Sequence, residues 1–164
     1  MFGKGKFPAA AATILSMIGA YAYGRDAPGA FTQAQVTAGR KDYLTNCASC
    51  HGADLGGSNV DSEDQPPPLT GETFNIDMAN ETIDGLYKFI STSMPNGNAG
   101  SLSPQTYRDI LSFLLAANGA KSGPSPLNDE SDVKIVTIAN GQLVPTVVNI
   151  GGGQGAPQSG AAPP

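Results

Sequence analysis

The sequence has few of the residues that bind metals or form disulfides. Its 164 residues include two cysteines, one histidine and no tryptophan. A zinc site of four cysteines, or of two cysteines and two histidines, is therefore excluded by counting. A Ser-His-Asp catalytic site away from that one histidine is excluded for the same reason.

Positive charge is also scarce. Nine lysines and arginines stand against fourteen acidic residues, which gives a formal net charge of -5. Binding to nucleic acid needs lysine and arginine clustered on one surface, so this composition argues against nucleic acid as a partner.

The first 22 residues have the pattern of an export signal. Lys4 and Lys6 form a short positive region, an apolar run extends from Phe7 to about Ala20, and Ala20-Tyr21-Ala22 fits a small-x-small cleavage site. The run is short for a membrane span. We predict cleavage and a periplasmic location. The alternative is an uncleaved N-terminal anchor, which would hold the protein at the membrane.

A first helix is predicted from about residue 33 to residue 48. Thr32 and Gln35 have the spacing of a capping box, and apolar residues recur beyond them at helical intervals. The following stretch, 52–80, is rich in glycine and proline, and we predict a long irregular loop that wraps a cofactor.

Two further helices are predicted after this loop. Asn80 can cap the second helix, whose apolar stripe begins at Ile83. Ser103 caps the third helix with Pro104 at its first position, and Asn118-Gly119 stops it.

The composition changes beyond Gly119. Residues 133–150 are rich in β-branched residues, and Asn140-Gly141 could turn a hairpin between them. The alternative is a strand added to the sheet edge of a partner. The predicted organisation of the chain is a signal peptide at 1–22, an N-terminal segment at 23–31, a core domain at 32–119, a linker and β-hairpin at 120–150, and a disordered tail at 151–164.

Both cysteines and the histidine lie in one pentapeptide at the predicted end of the first helix, Cys47-Ala48-Ser49-Cys50-His51. Two thiols spaced C-x-x-C can bond covalently to the two vinyl groups of one haem, and the next residue can donate its ring nitrogen to the iron. A thioredoxin-like redox pair needs a βαβ setting, and a plain disulfide leaves His51 unexplained. The pattern predicts one covalent haem c, held by Cys47 and Cys50, with His51 as the proximal ligand.

The second axial ligand is predicted to be a methionine, because there is no second histidine. After the export signal the methionines are Met78 and Met94. Met94 follows an amphipathic helix and precedes Pro95, whereas Met78 can equally be a core residue. We predict Met94 as the ligand. His/Met ligation raises the reduction potential and suits an electron carrier.

The order of these features resembles the class I monohaem cytochrome c family over about residues 32–119. The segments that carry the resemblance are Tyr43 to Gly52, Pro67-Pro68-Leu69-Thr70-Gly71, Ser93-Met94-Pro95, Gly100 to Ser103, and the helix from Tyr107 to Gly119. They resemble in particular the cytochrome c subunits associated with periplasmic, quinoprotein-type dehydrogenases.

The resemblance implies an all-α fold of three to four helices around one haem, with a C-terminal extension outside the common core. It implies that Pro68 supports His51 and that Leu69 packs on the haem. It also implies that the first and last helices cross, here near Gly39 and Tyr43, where a small residue allows close approach.

The function expected from these features is electron transfer rather than enzymatic catalysis. The partners would be a periplasmic dehydrogenase as donor and a terminal oxidase or another acceptor. Two alternatives stay open. One is a haem subunit anchored in a larger oxidoreductase complex, and the other is a haem sensor or catalyst with a labile sixth ligand. The acidic cluster Asp61, Glu63 and Asp64 lies either on a docking face or in a solvated loop.

Overall fold

The computed structural model describes residues 29–57 and 65–149. The helices are α1 (Gln33–Asn46), α2 (Ala48–His51), α3 (Gly71–Asp77), α4 (Ile83–Ser93), α5 (Pro104–Ala117) and α6 (Pro145–Val148), with a 3-10 turn at Ile135–Thr137 between the last two. These described residues contain no strand, which confirms the all-α prediction. The predicted signal peptide, the acidic cluster at 61–64 and the tail at 151–164 fall outside them. No helix in the described ranges is both long and apolar enough to cross a membrane.

The start of α1 has the predicted capping box. The Thr32 hydroxyl accepts a hydrogen bond from the Gln35 amide at 3.3 Å, and the Gln35 side chain accepts one from the Thr32 amide at 3.2 Å. Two N–H groups that the helix cannot satisfy internally are therefore paired.

The backbones of α1 and α5 come into direct contact where the two helices cross. A Cβ atom added to Gly39 would stand 1.7 Å from the backbone oxygen of Asp109, so the two backbones meet with no side chain between them. One turn further along, the rings of Tyr43 and Phe113 pack with their centroids 5.3 Å apart. The predicted crossing near Gly39 and Tyr43 is confirmed.

The cap of α4 differs from the prediction. Thr82, not Asn80, is the N-cap residue, and its hydroxyl accepts from the Gly85 amide at 3.0 Å. An Asn80 cap would need the amide of Ile83, and that amide donates instead to the carbonyl of Val133 at 3.1 Å. The cap of α5 is the predicted Ser103, with Pro104 at the first helical position.

The loop predicted as irregular over 52–80 contains the short helix α3. Thr70 stands at its N-cap position in an extended conformation, and Phe74 is its buried residue. Seven residues with one buried aromatic side chain give no readable helical period, which is why the sequence pattern missed α3.

Residues 120–149, which we call the strap, are packed against the helices and are not a free linker. The predicted hairpin is wrong. Ile135 is fully buried and its amide donates to the carbonyl of Glu81 at 3.0 Å. The Asn140 amide donates to the carbonyl of Asn118 at 3.0 Å, so the segments on either side of Asn140-Gly141 bond to the helical core rather than to each other.

Polar contacts hold the strap along its length. The Gly123 amide donates to the carbonyl of Phe31 at 2.7 Å, and the Leu127 amide donates to the side chain of Gln35 at 2.8 Å.

Two arginines of the helices also hold the strap. Arg108 pairs with Asp129 at 3.0 Å, and this hydrogen bond holds the pKa of the Asp129 carboxyl below its usual value. Further on, the Arg40 side chain donates to the carbonyl of Val148.

Candidate functional site

A cavity of about 770 Å³ lies beside the pentapeptide. Most of its lining is apolar, which suits a large flat hydrophobic group. The predicted site residues that line it are Cys47, Cys50, His51, Leu69 and Met94, whereas Pro68 does not line it. Met78, the alternative to Met94, lines it as well. Other lining residues come from α3, α4 and α5 and include Phe74, Leu86, Ile90, Tyr107, Ile110 and Leu114.

The end of α1 positions the pentapeptide at the cavity. The Cys47 carbonyl accepts from the amides of Cys50 at 3.1 Å and His51 at 3.0 Å, which forms the single turn α2. Gly52 ends that turn with a φ of 76°, a value that favours glycine. The Tyr43 hydroxyl donates to the Gly52 carbonyl at 2.7 Å and ties the turn to α1. Burial raises the pKa of Tyr43, so its hydroxyl keeps the proton that it donates.

The two thiols have different surroundings. Cys50 is exposed and Cys47 is half-buried, and no disulfide joins them. Burial, with smaller effects of Cys50 and Asp42, raises the pKa of Cys47 to about 11. The Cys47 sulfur therefore lies in an apolar setting that accepts an uncharged thiol or thioether more readily than a thiolate.

The ring of His51 is oriented by one hydrogen bond. Its Nδ1 lies 3.2 Å from the carbonyl oxygen of Pro67. A carbonyl only accepts, so Nδ1 carries a proton, and in the neutral imidazole Nε2 is then the nitrogen with the lone pair. This is the tautomer that a metal-binding histidine needs, held by a partner of the usual kind.

Both remaining methionines line the cavity. Met94 follows α4, and its amide donates to the carbonyl of Ile90 at 3.1 Å. Met78 ends α3, and its amide donates to the carbonyl of Phe74 at 2.9 Å. The choice of Met94 as the axial ligand stays a prediction.

The proline-rich segment places Leu69 in the cavity wall. Its amide donates to the carbonyl of Leu55 at 2.8 Å, and its carbonyl accepts from the side chain of Asn118 at 2.9 Å. The carbonyl that contacts His51 belongs to Pro67, the neighbour of Pro68. The roles assigned to Pro68 and Leu69 stay predictions.

Two acidic residues and one exposed aromatic residue line the cavity but are not among the predicted site residues. The lysines and arginines of the described ranges do not line it, whereas Asp77 and Glu81 do, and both are exposed. Phe89 also lines it and is 54% exposed. An exposed aromatic on α4 interrupts the pattern of a simple amphipathic helix, which is the one signal that could have identified it.

Taken together, the donor set fits a haem c. Two thiols, an imidazole with a free Nε2 and two thioethers all line one apolar cavity. No group of three or more His, Cys, Asp or Glu side chains that could hold a bare metal ion occurs among the described residues.

Comparison with known sequences agrees with this chemistry. Residues 34–114 match the family described as cytochrome c oxidase, cbb3-type, subunit III. The thiosulfate dehydrogenase of Thiomonas intermedia (strain K12) is 38% identical over 79 residues, which are 48% of this chain and 25% of that protein. The thiosulfate dehydrogenase of Stutzerimonas stutzeri (strain A1501) is 32% identical over 128 residues, covering 68% of this chain and 42% of that protein. The chain therefore spans less than half the length of either relative.

Two solved structures also align with the chain. A thiosulfate dehydrogenase from Marichromatium purpuratum is 30% identical, with a TM-score of 0.42, over 63% of this chain and 22% of its own. The sulfane dehydrogenase SoxCD from Paracoccus pantotrophus is 24% identical, with a TM-score of 0.36, over 73% of this chain and 56% of its own.

Proposed function

We propose, on the premise that residues 34–114 form a domain of the cytochrome c family, that this protein is a periplasmic electron carrier with a single haem c. Cys47 and Cys50 hold the haem covalently, and His51 and Met94 are its axial ligands. The N-terminal segment exports the chain and is then cleaved.

The observation that carries this proposal is the convergence of the thiols, the oriented imidazole and the methionine on one apolar cavity. A bound haem would supply one-electron chemistry at its iron. The chain itself orients His51 through Pro67 and surrounds the cofactor with apolar side chains of α4 and α5. Burial and the axial ligands then set the reduction potential.

The donor that we propose is a dehydrogenase. The two curated relatives are named thiosulfate dehydrogenases. This chain matches less than half the length of each relative, so we take from them only the class of the electron donor. The acceptor would be a terminal oxidase or another redox protein.

The charge at the cavity favours a carrier over a catalyst that acts on thiosulfate at this haem. Thiosulfate is an anion, and among the described residues that line the cavity the acidic ones are Asp77 and Glu81, with no lysine or arginine beside them. Exposed carboxylates at the cavity repel an anionic substrate and lower its local concentration. A protein partner that receives single electrons does not have to enter the cavity.

The ligation is tested by replacing the two methionines separately. Met94→Ala should abolish the absorption that a methionine-iron bond gives the oxidised protein, and it should lower the reduction potential because the thioether favours the reduced iron. We expect a fall of more than about 59 mV, which is a tenfold change in the one-electron equilibrium. Visible spectroscopy and redox titration measure both effects.

Met78→Ala is the matched control, because Met78 lines the same cavity. It should keep the methionine-iron absorption. If Met78→Ala removes that absorption and Met94→Ala keeps it, the axial ligand is Met78. If the reduced wild-type protein binds carbon monoxide rapidly, the sixth position is labile and the sensor or catalyst alternative replaces the carrier.

A further inference from the structure

Tyr107 is a buried polar residue next to Met94. It lies in the first turn of α5, is 3% exposed and lines the cavity. Its hydroxyl donates to the carbonyl of Met94 at 2.7 Å and accepts from the amide of Leu102 at 3.4 Å. One phenol oxygen therefore contacts the backbone at both ends of the segment that joins α4 to α5.

The segment between these two contacts is otherwise held by local bonds. The Asn98 amide donates to the carbonyl of Pro95 at 2.9 Å, and the Gly100 amide donates to the carbonyl of Met94 at 3.4 Å. Residues 96–101 are exposed. The backbone of Met94 is thus fixed by the end of α4 on one side and by the Tyr107 hydroxyl on the other.

We infer that Tyr107 is a positioning residue that holds the Met94 thioether at the haem iron, an inference that rests on the proposed ligation. The side chain of Met94 has three rotatable bonds, so the position of its sulfur depends on where its backbone is fixed. The Tyr107 hydrogen bond is short, and it is made from a residue of the rigid helix α5. Without it, the Met94 carbonyl keeps only the longer bond from Gly100, and the segment gains conformations in which the sulfur lies away from the iron.

The variant Tyr107→Phe removes the hydroxyl and keeps the ring that packs in the cavity wall. This variant is expected to change how tightly the oxidised holoprotein binds an added iron ligand. Added imidazole competes with the methionine for the iron, so a weaker methionine bond appears as tighter apparent binding of imidazole. We expect binding about tenfold tighter than in the wild type, since one lost hydrogen bond of about 1.4 kcal/mol is a factor of ten.

Tyr87→Phe is the matched control. Tyr87 lies in α4 and does not line the cavity, and its hydroxyl interacts with Asp129 of the strap rather than with the segment around Met94. This variant loses a hydroxyl of the same kind and should leave imidazole binding unchanged. Thermal unfolding of both variants separates a general loss of stability from a specific loss of ligation.

The outcomes separate this role from the proposed ligation. If the wild-type protein shows the methionine-iron absorption and Tyr107→Phe binds imidazole as tightly as Tyr87→Phe does, the role of Tyr107 is wrong and the carrier proposal stands. If the wild-type protein lacks that absorption, the His/Met ligation is wrong and the role of Tyr107 is wrong with it. Tighter imidazole binding in Tyr107→Phe alone supports the inference.

Discussion

Replacing Gly39 with alanine is expected to lower the free energy of unfolding of the holoprotein by about 3 kcal/mol. The added methyl group would stand 1.7 Å from the backbone oxygen of Asp109 and 2.3 Å from its carbonyl carbon. Backbone atoms of a helix cannot rotate aside as a side chain can, so α1 and α5 must separate. That separation loosens the packing of Tyr43 on Phe113. Denaturant unfolding followed by circular dichroism measures the loss.

Gly85→Ala is the matched control for this substitution, because Gly85 is also a helical glycine. The nearest atom to its added Cβ is the end of the exposed Glu81 side chain at 2.6 Å, which can move away. Alanine favours the helix over glycine by about 0.8 kcal/mol, so this variant should be as stable as the wild type or slightly more stable. Equal losses at Gly39 and Gly85 would show that the crossing does not depend on a missing side chain.

The parts of the fold that could be predicted from the sequence depend on local geometry. Thr32 and Gln35 are three residues apart and satisfy each other within one turn. Ser103 and Pro104 begin α5 for similarly local reasons. The crossing at Gly39 is a long-range feature, and it was predicted from the resemblance to the family rather than from helical spacing.

The parts that could not be predicted depend on contacts between distant segments. Asn80 and Thr82 are both good N-cap residues, and the choice between them follows from Val133, fifty residues later, which takes the amide that an Asn80 cap would use. The β-branched residues of 133–148 read as strands because such residues favour sheets. Here Ile135 and Val148 instead fill the core as separate buried side chains outside any strand.

The candidate site also has parts that the sequence predicts and parts that it does not. Both thiols and the imidazole can be identified from the sequence because they lie within five adjacent residues. The hydrogen bonds that orient the iron ligands join distant segments: His51 donates to the carbonyl of Pro67, and Tyr107 donates to the carbonyl of Met94. Spacing in the sequence carries no signal for bonds of this kind, since they form only when separate elements pack.

Ile135→Ala is expected to destabilise the holoprotein by about 3 kcal/mol, although this residue lies outside the common cytochrome core. Ile135 is fully buried, and its side chain belongs to the same hydrophobic cluster as Ile83 and Leu111. Truncation to alanine leaves a cavity that the surrounding helices cannot fill. Equilibrium unfolding in denaturant measures the change.

The neighbouring Val136→Ala is the control. Val136 is 41% exposed, so its truncation should change the free energy of unfolding by less than about 0.5 kcal/mol. The two variants differ by one position in the chain and by which way the side chain faces. A large difference between them shows that the strap is docked on the haem domain in solution.

This pair of variants also bears on whether the strap anchors the protein to a larger enzyme. Its backbone already bonds to the first turn of α4, to the end of α5 and to Gly71 at the start of α3. A strand that paired with a partner's sheet would have to release those bonds and withdraw Ile135 from the core. If Ile135→Ala is as stable as Val136→Ala, the strap is not docked and is free to bind a partner. If Ile135→Ala is much less stable, a partner can reach only the exposed face of the strap, where Val133, Val136 and Leu143 lie.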